Sequence, residues 1–133
     1  MEYAERNNPV KLKLKRMEHD LTVCKTARFG DIDMSASFFF IARTDEEISL
    51  VCRTADTPAN TTAREDGWRA FRVEGVLDFS LVGILSRISA VLSENGIGIF
   101  ALSTYNTDYI LVKAEDMDRA MDALCKAGCE TSV

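Results

Sequence analysis

The sequence predicts an α+β fold in which two strand-rich halves share an antiparallel sheet and the first half has few helices. The chain has 133 residues, of which 47% are hydrophobic and 28% charged, a balance typical of a folded globular protein. Its carboxyl-terminal half alternates between strand-like and helix-like hydrophobic patterns. Because a half of about 65 residues buries little surface alone, a shared sheet is the favoured arrangement.

The second half, residues 68–133, shows the order strand, helix, strand, strand, helix. Period-two alternation predicts the strands, and apolar residues spaced three and four apart predict the helices. A polar segment between the second and third strands predicts a hairpin turn. The elements are predicted at residues 69–75, 81–95, 97–103, 109–112 and 115–128.

The first half, residues 20–67, repeats part of this order with its helices almost absent. Only the ten residues 27–36 lie between Thr26 and Ser37, which leaves room for about two helical turns. A connector rich in turn-forming residues follows the third strand. Residues 1–19 are predicted as an amino-terminal extension, in which lysines alternate with apolar residues as on a half-exposed strand. The predicted strands are Leu21–Thr26, Phe38–Thr44 and Ile48–Arg53.

Charge and hydropathy exclude several classes of partner. The formal net charge of −5 leaves no broad positive field, so we expect no binding to nucleic acid. No apolar run approaches the roughly 18 residues of a membrane helix, and Glu2 and Glu5 lie where a signal peptide is apolar. The four cysteines contain no CxxC pair, and each except Cys129 lies within an apolar pattern, which favours free thiols, no metal and a cytoplasmic location.

No residue pattern predicts catalysis. The only histidine, His19, lies in a polar segment with no evident acid or nucleophile beside it. The sequence has no GxSxG, P-loop, dinucleotide-binding or HExxH motif. We therefore expect a protein that is not an enzyme, with no catalytic residues and no cofactor, and keep a small enzyme with an unfamiliar site as a third hypothesis.

Two segments, Val73–Leu85 and Leu102–Val112, resemble those of small bacterial tandem ACT-domain proteins, and are similar to the ACT modules of the cytosolic arginine sensors of animals. The order of elements between Arg69 and Gly128 also matches an ACT domain. The resemblance implies ferredoxin-like βαββαβ halves, a reduced one at 20–67 and a complete one at 68–133. It also implies a regulatory module that binds a small ligand.

The predicted ligand site combines a strand-to-helix loop with the hairpin. Free backbone amides in the first turn of a helix suit a carboxylate, and Asp78 and Asp108 suit an ammonium or guanidinium group. An amino acid is therefore the expected ligand, held between the two halves. The alternative roles are helix cap for Asp78, turn former for Asp108 and helix packing for Gly83. The predicted residues are Asp78, Phe79, Ser80, Leu81, Val82, Gly83, Ser103, Thr104, Tyr105, Asn106, Thr107 and Asp108.

A second hypothesis is a constitutive interaction or assembly module with a degenerate pocket. The segment Phe38–Phe40 breaks strict alternation, which indicates a strand covered on both faces or lying at an interface. We expect a homo-oligomer on this basis. Tyr105 and Tyr109 flank the hairpin and are expected either to cover the ligand or to cover the sheet edge.

Overall fold

The structure is a computed structural model that describes residues 11–74 and 83–133. Two compact units make up the chain, and we name them by their place in the sequence. The inserted unit is His19–Trp68. The split unit combines the described residues up to Glu18 with those from Arg69 onwards. The sequence of the first unit thus interrupts that of the second.

The described residues form eight strands and two α-helices. In chain order the strands are β1 Lys13–Arg16, β2 Leu21–Thr26, β3 Phe39–Arg43, β4 Ile48–Arg53, β5 Thr61–Val73, β6 Phe100–Ser103, β7 Asp108–Lys113 and β8 Glu130–Ser132. The helices are α1 Ile84–Glu94 and α2 Met117–Lys126. From β5 to β8 the order is βαββαβ, so the predicted α+β fold class is confirmed.

The split unit has the strand order β6-β7-β5-β1-β8. Strand β1 is antiparallel to β5, with Leu14 opposite Val73, and parallel to β8, with Leu14 opposite Thr131. The strand predicted around residues 11–16 is confirmed, since Leu12 and Leu14 are buried while Lys11 and Lys13 are exposed. Residues that precede the inserted unit therefore pair with strands that follow it.

Both helices bury one apolar stripe in the core of the split unit. In α2 the buried residues recur at the spacing i, i+3, i+4 and i+7, which places them on one face. Helix α1 begins at Ile84 with Gly83 at the N-cap, and the helix-cap role that the sequence left open for Asp78 concerns a residue outside the described ones. The helix-derived part of the core is Ile88, Leu92, Met117, Ala120, Met121 and Leu124.

The cysteine pattern near the carboxyl end differs from the sequence-based prediction. Cys125 was expected inside an apolar pattern but is exposed, whereas Cys129 is buried and belongs to the core. The reason is the turn that ends α2. Gly128 adopts a φ of 102°, and the amide of Cys129 donates to the carbonyl of Leu124, which directs the chain back toward the core.

The inserted unit has the strand order β3-β4-β2-β5, with every neighbouring pair antiparallel. Only short 3-10 turns, at Phe29–Asp31 and Thr54–Asp56, occur among its described residues in place of helices, which confirms the prediction of reduced helices. Strand β5 begins at Thr61, where the sequence predicted a connector up to Trp68. Residues 61–67 are mostly polar and exposed, so they lack the apolar alternation by which the sequence would predict a strand.

The phenylalanines of Phe38–Phe40 divide between different environments. Phe39 packs against the small core of the inserted unit, formed by Cys24, Ile32, Leu50 and Cys52. The rings of Phe38 and Phe40 meet edge to face with centroids 5.4 Å apart, and Phe38 also contacts the ring of His19 at 4.8 Å. All three phenylalanines are half-buried. The predicted coverage of both faces of this strand is thus partial.

Candidate functional site

The polar segment predicted as a hairpin joins β6 to β7 in the split unit. The amide of Thr104 donates to the carbonyl of Thr107 at 2.9 Å, and the amide of Thr107 donates to Thr104 Oγ1 at 3.3 Å. Thr104 Oγ1 in turn donates to the Thr107 carbonyl at 2.9 Å. Thus both ends of the turn are held together by its own backbone and hydroxyl groups.

Asp108, predicted to hold a cationic group, has a partner within the hairpin. Ser103 Oγ donates to Asp108 Oδ1 at 2.7 Å, across a directly opposed pair of residues on β6 and β7. The turn-forming role that the sequence left open for Asp108 is consistent with this bond. At the tip, Tyr105 has 81% of its surface exposed, and Asn106 is exposed as well.

Thr107 connects the hairpin to the end of β5. Its side chain is buried, and Thr107 Oγ1 donates to the carbonyl of Val73 at 2.7 Å. Val73 is the last residue of β5, and the predicted ligand loop begins five residues later in the sequence. The hydrogen bond therefore brings the hairpin to the point where the chain leaves the strand toward that loop.

The same strand end carries charged groups that the sequence analysis did not select. Arg72 Nε donates to Glu74 Oε2 at 3.3 Å, and Arg72 Nη1 donates to the hydroxyl of Tyr109 at 3.5 Å. The Tyr109 hydroxyl and the Glu74 carboxylate raise the pKa of Arg72 above its ordinary value. Residues two apart on a strand share a face, so the spacing of Arg72 and Glu74 could have indicated from the sequence that their side chains meet.

The structure describes seven of the predicted ligand-binding residues. Gly83 stands at the start of α1 with a φ of 84°, a left-handed conformation that glycine adopts without strain. The six hairpin residues Ser103, Thr104, Tyr105, Asn106, Thr107 and Asp108 lie together. The other five predicted residues, Asp78, Phe79, Ser80, Leu81 and Val82, lie outside the described residues.

The remaining candidates for chemistry have structural partners. The acidic segment Asp45–Glu47 forms a tight turn in which the amide of Thr44 donates to the carbonyl of Glu47. In the described ranges, no group of three or more His, Cys, Asp or Glu side chains converges as a metal site. None of the described helices is long and apolar enough to cross a membrane.

Comparison with known proteins identifies the class to which this fold and hairpin belong. A family model for the ACT domain matches residues 63–126. A crystal structure from Agobacterium tumefaciens is 31% identical, covers 92% of this chain and 93% of its own, and superimposes with a TM-score of 0.81. The chain belongs to the ACT-domain family. No curated protein matches the sequence.

More distant structures share the fold. A Vibrio cholerae protein of unknown function, described as a possible transport protein, is 20% identical over 87% of this chain and 89% of its own, with a TM-score of 0.69. The ligand-free regulatory subunit of aspartate kinase from Thermus thermophilus is 9% identical over 86% of this chain and 95% of its own, with a TM-score of 0.62.

Proposed function

We propose that this ACT-domain protein is a non-catalytic regulatory module that binds an amino acid at the Asp78–Gly83 loop and the Ser103–Asp108 hairpin. The observation that carries the proposal is the hydrogen bond from Thr107 Oγ1 to the Val73 carbonyl. It joins the hairpin to the strand end that leads into the loop. The hairpin therefore lies beside the strand end from which the chain continues toward the loop, which supports a shared site.

The chemistry of these segments suits a zwitterion. Helix α1 extends for 11 residues from Ile84, and the amides of its first turn carry the positive end of the helix dipole, which favours a carboxylate. The Asp78 carboxylate is the proposed partner of the ammonium group. Asp108 keeps a second carboxylate oxygen beyond the one that Ser103 Oγ contacts, so it is a further acceptor.

A regulatory role is supported by the kind of protein that shares the fold. The Thermus thermophilus neighbour is a regulatory subunit of aspartate kinase and matches this chain along most of both lengths. At 9% identity this likeness concerns the fold and carries no ligand with it. The ligand proposal therefore depends on the hairpin and loop residues of this chain.

A thermal-shift screen of the twenty proteinogenic amino acids at millimolar concentration tests the proposal. A ligand present at about a hundred times its Kd stabilises the native state by roughly 2.7 kcal/mol, which raises the Tm by several degrees. Asp78→Ala should reduce this ligand-induced shift. The matched control is Asp122→Ala, which removes an exposed carboxylate on α2 that pairs with Lys126 and should leave the shift unchanged.

The alternative function is an assembly module with a degenerate pocket. The bond between Ser103 and Asp108 favours it, because a carboxylate that already accepts a hydrogen bond has less capacity for a ligand. A flat response to all twenty amino acids, in protein shown to carry no bound small molecule, would replace the sensor proposal with this one.

We also propose that the protein assembles as a homo-oligomer. Strand β3 is an edge strand of the inserted unit, and its residues Phe39–Ile41 are apolar and half-buried. An exposed apolar edge is a natural site for pairing with a second copy.

A further inference from the structure

A single peptide group at the end of β5 is held from both sides. The carbonyl of Val73 accepts a hydrogen bond from Thr107 Oγ1 at 2.7 Å. The amide of Glu74, which belongs to the same peptide group, donates to the carbonyl of Lys13 at 2.7 Å. Because the C=O and N–H of a trans peptide point in opposite directions, the hairpin holds one side and β1 holds the other.

We propose that Thr107 is a positioning residue, which orients the Val73–Glu74 peptide and so fixes the direction in which the chain leaves β5. The sequence pattern predicted Thr107 as one of the residues that contact the ligand. Its side chain is instead buried, and its hydroxyl hydrogen is donated to a backbone carbonyl. The proposal rests on the proposed function only where it predicts an effect on ligand binding.

The geometry explains why a threonine serves this purpose. The hydroxyl donates to Val73 while the Thr107 backbone closes the turn with Thr104, so the hairpin conformation and the peptide orientation depend on each other. Without the hydroxyl the Val73 carbonyl loses its side-chain donor, and the backbone can then rotate toward another partner or water. Removal of the hydroxyl should loosen the backbone at this strand end and leave the backbone of distant strands unchanged.

Three substitutions test the proposal. Thr107→Val keeps the shape but removes the hydroxyl, and Thr107→Ser keeps the hydroxyl. The matched control is Thr22→Val in the inserted unit, where another buried threonine hydroxyl bonds Thr54 Oγ1 at 2.9 Å and Asp66 Oδ1 at 2.6 Å. Each valine variant removes a buried hydroxyl, so general destabilisation affects both.

Amide hydrogen exchange gives the readout that needs no ligand. We expect Thr107→Val to speed exchange of the Glu74 amide about tenfold relative to amides of the inserted unit. Thr107→Ser should restore wild-type exchange, and Thr22→Val should leave the Glu74 amide within about twofold of the wild type. Equal acceleration in both valine variants, or none in Thr107→Val, would overturn the proposal. If Thr107→Val does not fold, Thr107→Ala is held to the same criteria.

The twenty-amino-acid thermal-shift panel gives the second readout. For any amino acid that stabilises the wild type, Thr107→Val should weaken apparent affinity at least about fivefold, and Thr22→Val should leave it within about twofold. An equal loss in both variants would contradict the positioning role. If the wild type responds to no amino acid, the proposed function fails, and hydrogen exchange still decides the role of Thr107.

Discussion

Truncation of Leu14 should destabilise the protein strongly, because β1 contributes to the core of the split unit. Leu14 is 1% exposed, lies opposite Val73 on β5 and belongs to the same apolar cluster as Phe71 and Leu124. Replacement of a buried leucine by alanine removes transfer free energy and leaves a cavity, at a cost of about 3 kcal/mol. That is a large fraction of the 5–15 kcal/mol that is typical of domain stability.

Urea unfolding followed by circular dichroism measures the effect. With a slope of about 1.5 kcal/mol per molar urea, a loss of about 3 kcal/mol lowers the midpoint by roughly 2 M. Lys13→Ala is the matched control, since Lys13 is exposed on the same strand, and its cost should stay within about 0.5 kcal/mol. If Leu14→Ala shifts the midpoint no more than Lys13→Ala does, residues 13–16 are not part of this core.

Four further predictions concern the backbone, thiol reactivity, pH dependence and assembly. Gly67 has a φ of 87° where the pairing of β5 with β2 is irregular, so Gly67→Ala should lower the free energy of unfolding by about 1–2 kcal/mol, measured by thermal unfolding. Gly98→Ala should cost far less, because Gly98 has no positive φ and open space at the position of a Cβ. Cys125 should react with a thiol reagent at once and the three buried cysteines only on unfolding, with four thiols recovered in total. Burial raises the pKa of Cys24 from 9.0 to about 11. Between these two values the thiol is protonated in the folded protein and ionised in the unfolded chain, so the free energy of unfolding should fall as the pH rises from 9.0 toward about 11. Light scattering should show a dimer or higher oligomer, and a monomer at high micromolar concentration would remove the assembly proposal.

Local hydrophobic periodicity was sufficient to predict most elements of the fold. The stripe Met117, Ala120, Met121 and Leu124 specifies α2 without any information about its neighbours. Strand β4 was predicted with its observed bounds, Ile48–Arg53, because four of its six residues are apolar and turn formers flank it. These signals are short-range, so a single sequence contains them.

Long-range pairing was not available from the sequence. The position of β1 between β5 and β8 depends on partners more than 50 residues away, such as Val73 for Leu14 and Thr131 on the other side. The extension of β5 back to Thr61 was missed because an exposed strand segment need not be apolar.

In the candidate site, the hairpin turn was predictable from the sequence, but the hydrogen bonds within the hairpin were not. The polar residues of the hairpin indicated a turn, and the turn is present between Thr104 and Thr107. The sequence pattern alone does not show which polar side chains form hydrogen bonds within the protein. The buried hydroxyl of Thr107 and the Ser103–Asp108 pair therefore became apparent only from the three-dimensional arrangement.

A nuclear magnetic resonance titration tests whether the hairpin and the start of α1 bind an amino acid. Uniformly labelled protein is titrated with whichever of the twenty amino acids gives the largest thermal shift, and amide resonances are followed. We expect saturable changes concentrated at Gly83 and at Ser103–Asp108, with residues 19–68 changing least. Changes concentrated within residues 19–68, or no saturable change with any amino acid, would contradict it.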